Sequence, residues 1–134
     1  MPEITDPQIR EYFDALNGQT RDCLLELRAL AYGVAVADPR IGPLDESLKW
    51  SQPSYAPSTP GVGTAFRLGE FDDDHVAVFV HCQTTLVSGW RERLPHLTYS
   101  KTRALLLDPQ APVPSAELEQ CMGDALTYKL RERR

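Results

Sequence analysis

The sequence holds no run of about 18 or more apolar residues, so it offers no transmembrane helix. Its start, MPEITDPQIREYF, lacks the charged-then-apolar order of a signal peptide, and the expectation is a bacterial-style cytoplasmic protein. Positive charge is also short. Fourteen Lys and Arg stand against 19 Asp and Glu, a net charge of -5, whereas a nucleic-acid binder draws most of its affinity from cations on phosphates. No nucleic-acid or membrane partner is expected.

Metal and catalytic signatures are equally sparse. Cys23, Cys82 and Cys121 are odd in number, widely spaced and each set in an apolar pattern, which predicts buried reduced thiols rather than disulfides. No CxxC or HExxH occurs. His75 and His81 fall on one face of the same expected strand, but six residues at about 3.3 Å each hold them roughly 20 Å apart. His96 is isolated. The serines lack a GxSxG setting, and GVG at 61–63 is neither a P-loop nor a dinucleotide fingerprint. The residues therefore name no catalytic group, no metal ligand and no cofactor.

What is present is an ordinary globular composition. Hydrophobic residues make up 42% and charged residues 25% of 134 positions, which suits one domain over residues 1–134. A chain of this length buries roughly 68% of its unfolded surface. Asp6 caps and Pro7 opens a first helix, on which Ile9, Tyr12, Phe13 and Leu16 recur at helical spacing until Asn17-Gly18. A second helix begins near Thr20 and carries Leu24, Leu27, Ala31 and Val34 on one stripe up to Asp38-Pro39.

The period then changes. SLKW reads as a short strand, and SQPSYAPSTPGVG, with three prolines and two glycines, reads as a long loop. TAFRLGEF and HVAVFVHC alternate as a hairpin with FDDD at its tip, and the second of these strands, apolar on both faces, belongs in the centre of a sheet. TTLVSGWRERLP forms a short helix or an irregular turn, YSK and TRALLLD add strand, and Leu118 to Lys129 close the chain as a helix whose end collects Lys129, Arg131, Arg133 and Arg134. This order predicts an α+β fold with an antiparallel sheet and helices packed on one face.

LKWSQPSY, the hairpin into HVAVFVH, YSKTRALLL and VPSAELEQCMGDALTYKL together resemble the YdhG-like family, domain of unknown function 1801, over roughly residues 14–133. Lys49-Trp50 followed by Pro53 and Tyr55 is the most specific element, with Lys101 and Pro114 as further matches. The resemblance implies a frataxin-like α+β fold. It also implies iron as a possible ligand, which in the frataxin manner would use exposed carboxylates; Glu11, Asp14, Asp22 and Glu26 on the first two helices are the groups available.

Two readings of LKWSQPSY stand side by side. In one, Trp50 packs into the core, Pro53 ends the strand and Tyr55 pins the loop through its hydroxyl. In the other, Trp50 and Tyr55 line a pocket in which Lys49, Gln52, His81 and Lys101 orient a small molecule. The functional expectation is a non-enzymatic module that binds a small molecule or a protein, with iron handling as the alternative and a homodimer permitted.

Overall fold

The computed structural model describes residues 2–132, so Arg133 and Arg134, expected at the end of the closing helix, lie outside the described residues. Helix α1 (Pro7–Asp14) starts where Asp6 accepts a hydrogen bond from the backbone N–H of Gln8 at 2.8 Å, with Pro7 in the first turn. Helix α2 (Gly18–Ala37) begins two residues before the expected Thr20. The side chain of Asn17 accepts from the backbone N–H of Thr20 at 3.1 Å, so Asn17 starts the second helix as well as ending the first.

Six strands follow: β1 (Leu44–Lys49), β2 (Gln52–Pro57), β3 (Phe66–Asp72), β4 (His75–Val80), β5 (Thr98–Ser100) and β6 (Ala104–Leu107). They form one antiparallel sheet in the order β1-β2-β3-β4-β6-β5, and β4, apolar on both faces, lies in its interior. Helix α3 (Leu86–Arg93) settles TTLVSGWRERLP as helix, with Trp90 fully buried. The closing helix breaks at Thr127 into α4 (Ser115–Leu126) and α5 (Tyr128–Glu132). The break is held from outside: the carbonyl of Val62 accepts from the N–H groups of Lys129 and Leu130, and Thr64 donates to Ala125.

One expectation fails outright. Residues 52–57 are strand, not loop, and β1 and β2 form a hairpin joined by Trp50-Ser51. The prolines concealed it. In a two-residue hairpin the closing pair, here Lys49 and Gln52, is hydrogen-bonded, and pairing alternates from there. Pro53 and Pro57 face Leu48 and Leu44 at the alternate positions, where a missing N–H costs this ladder nothing. Pro53 therefore does not end the strand. On the other side of β2, pairing with β3 extends only over Ser54 and Tyr55, consistent with a strand that cannot donate at residue 53.

The same register divides the sheet into two faces. Tyr55, Phe66, Leu68, Val76, Val78 and Leu105 point at the helices and join Ile9, Leu27 and Leu118 in one core. Asp45, Ser47, Lys49, Arg67 and Phe79 point the other way, where no helix among the described residues covers them. Cys23 and Cys121 are buried as expected. Cys82 is exposed, because β4 ends at Val80 and the chain turns before the alternation reaches it.

Candidate functional site

The tip of the β1–β2 hairpin is strained. Trp50 and Ser51 have φ of +53° and +61°, the left-handed region that such a turn demands and that Asn and Gly normally supply. A bulky residue there costs about 1–2 kcal/mol relative to its ordinary conformation. Nothing repays that through burial. Trp50 is 86% exposed, so of its two readings the one that packs it into the core is corrected: the turn throws its side chain away from the core.

Beside this tip, on the uncovered face, lies a cleft of about 430 Å³. Lys49 and Trp50 form one wall, Ser47 and Ser54 the floor, and Arg67, Phe79 and His81 the opposite side. Arg67 is its central charge. It is half-buried, its Nη1 donates to Gln52 Oε1 at 2.7 Å, and its guanidinium carbon sits 5.2 Å from the centre of the Phe79 ring. Gln52 reaches it across Gly69, where a Cβ would stand 2.6 Å from the Gln52 side-chain nitrogen. No carboxylate pairs with Arg67 among the described residues. Burial pushes its pKa down, and the neighbouring Arg103 pushes the same way. An arginine stays protonated regardless, and four of its five N–H donors meet no acceptor among the described residues and stay accessible to solvent or a ligand.

The other charged and titratable groups in the cleft likewise have no ion-pair partner among the described residues. Asp45, two strands from Arg67, accepts from the Ser58 hydroxyl at 2.7 Å. His81 lies just past β4 and is exposed, its Nδ1 accepting from the backbone N–H of Gln83 at 3.1 Å. It contacts no serine hydroxyl or carboxylate through a hydrogen bond among the described residues.

Of the six residues singled out in the sequence, the structure thus brings Lys49, Trp50 and His81 to one cleft and places Gln52 at its edge, holding Arg67. Tyr55 lies on the opposite face, wholly buried, and stacks on Phe66 with ring centres 5.7 Å apart. Its hydroxyl donates to Glu46 Oε2 at 2.7 Å, and Arg28 grips the same carboxylate at 2.6 and 3.0 Å. Burial first, then the bond to Glu46, drive the Tyr55 phenol far above its usual range. Lys101 sits at the exposed turn between β5 and β6 with φ of +51° and does not line the cleft. Arg67 was the residue that motif reading passed over. Its signal lay in the alternation of TAFRLGEF, which sets Arg67 opposite Phe66 and Leu68.

Other polar clusters serve the frame. Asp124 is buried and accepts from Trp90 Nε1 at 3.1 Å, from Arg93 at 2.6 Å and from Arg131, which ties α3, α4 and α5 together. Glu11, Asp14, Asp22 and Glu26 are exposed on α1 and α2, and no group of three His, Cys, Asp or Glu able to hold a metal ion occurs among the described residues. No described helix is long and apolar enough to cross a membrane.

Against known proteins, no family profile matches the sequence and no curated protein matches it. The structure is similar to the crystal structure of a protein from the DUF1801 family, YdhG from Bacillus subtilis. The TM-score is 0.59 at 16% identity, over 87% of this chain and 86% of that one. Such a likeness shows the fold. The family that the sequence resembles is also the family of a protein that shares its architecture.

Proposed function

We propose that this protein is a small-molecule-binding module whose ligand lies on the uncovered face of the sheet, between the Trp50 hairpin tip and Arg67. The observation that carries this reading is the half-buried Arg67 guanidinium, without a carboxylate partner among the described residues, in the wall of a 430 Å³ cleft. Desolvating a cation without an opposing charge is unfavourable, and a cleft of this size with a few polar groups on aromatic walls is the usual form of a small-ligand site. Lys49 and His81 supply further donors at its rim.

The test is a thermal-shift panel of common metabolites and nucleotides on the natural protein and on Ser47→Trp. Ser47 points into the cleft from β1 and away from the core, so a tryptophan there fills the site and leaves the helices untouched. A ligand at one hundred times its dissociation constant adds about 2.7 kcal/mol of stability. That gain should vanish in Ser47→Trp. A ligand whose shift survives the substitution binds elsewhere, and the reading fails.

A further inference from the structure

The two unusual features of the cleft differ in kind, and together they narrow the chemistry of its occupant. The first is electrostatic. Arg67 presents a planar fork of N–H donors, Arg103 adds a second guanidinium close enough to depress its pKa, and Lys49 stands on the opposite wall. Asp45 is the one carboxylate on the cleft wall, two strands away and held by Ser58, so negative charge in a ligand is drawn to the Arg67 end. The second feature is steric. The turn demands a left-handed conformation that Asn or Gly would adopt with less strain, yet the tip carries an exposed indole there, and strain retained without a structural return marks a functional position. Phe79 lines the far side and supports the Arg67 guanidinium from beneath. A flat ring laid against the exposed indole gains stacking contact, while its anionic substituent takes the fork.

Resting on the cleft assignment above, we propose that the ligand is a small organic anion with a planar aromatic body, its carboxylate or phosphate on Arg67 and its ring against Trp50. Arginine suits the role better than lysine, since its fork meets two oxygens of a carboxylate or phosphate at once. Gln52 holds that fork in place by taking Nη1, and Gly69 leaves the room for Gln52 to do so.

The experiment is an amide-resolved NMR titration of the natural chain and of Arg67→Gln with benzoate, phenyl phosphate, benzamide and benzylamine at millimolar concentration. Trp50 indole fluorescence provides a parallel readout against the buried Trp90. The expected result is that benzoate and phenyl phosphate shift the amides of Ser47, Ser54, Arg67 and His81 and alter the exposed indole. Benzamide and benzylamine should bind at least roughly tenfold more weakly, and Arg67→Gln should remove that preference, because the bond lost is a charged one. If benzamide shifts the same amides as strongly as benzoate and Arg67→Gln changes nothing, the anion proposal falls while the cleft remains a binding site. If the two anions leave the open face unperturbed, the proposal is overturned, and the Ser47→Trp panel decides the cleft separately.

Discussion

Two glycines show how differently single residues are held here. A Cβ on Gly63 would fall within the Leu126 carbonyl group, and backbone cannot move aside, because the same loop donates and accepts the hydrogen bonds that close the α4–α5 break. Gly63→Ala should therefore cost about 3 kcal/mol or more, at the top of the overpacking range, measured by urea denaturation. Gly69→Ala meets only the end of the Gln52 side chain, and a loss under about 1 kcal/mol is expected. Equal losses would mean that the loop does not clamp the helix. The thiols divide in the same residue-by-residue way. Cys82 is exposed, whereas burial, reinforced by Glu26, pushes the Cys23 thiol from 9.0 to about 11, and burial with Asp124 pushes Cys121 to about 12. At neutral pH a thiol reagent should modify Cys82 alone in the folded protein and all three cysteines in urea. In the unfolded chain the buried thiols ionise first. Their contribution to stability is intact below about pH 9 and is lost as pH rises through 11 to 12, so the urea midpoint of the natural chain should fall faster over that window than that of a Cys23→Ala, Cys121→Ala protein.

Elements are joined by polar ties as well as by the core. Arg28, 1% exposed on α2, reaches Glu46 on β1 and the Pro2 carbonyl of the N-terminal segment, and Glu46 in turn accepts from Tyr55 on β2. Arg28→Met should cost about 3–5 kcal/mol, since it leaves a largely buried carboxylate without its cation, while Tyr55→Phe should cost about 1 kcal/mol. A milder loss for Arg28→Met than for Tyr55→Phe would show that the tie is not ionic. These elements were unequally legible in the sequence. The capped helices and β4 announced themselves through periodicity and capping residues. β2 did not, because Pro53 and Pro57 look like strand breakers until the pairing register is known, and register is a long-range property. Trp50 looked like core for a related reason. Its exposure follows from a two-residue turn that exists only if residues 52–57 pair back on β1.

At the scale of the whole molecule, the helices gather on one face of the sheet, and among the described residues no helix lines the cleft on the other. The α+β architecture was readable from the order of elements, but the cleft was only partly so. Lys49, Trp50 and His81 could be singled out, whereas Arg67 and the separation of Tyr55 from Trp50 onto opposite faces required the register of four strands. A hairpin tip and an Arg67 shaped for a ligand, as proposed, would be kept at some cost to the fold. The most direct measurement is the melting temperature of Trp50→Asn, Ser51→Gly, alone and with the aryl anion that best stabilises the natural protein. Asn-Gly suits both left-handed positions, so the variant alone should melt higher by the equivalent of about 1 kcal/mol or more, and its response to the anion should shrink. A variant that melts lower, or that gains as much from the anion as the natural chain does, would contradict the claim.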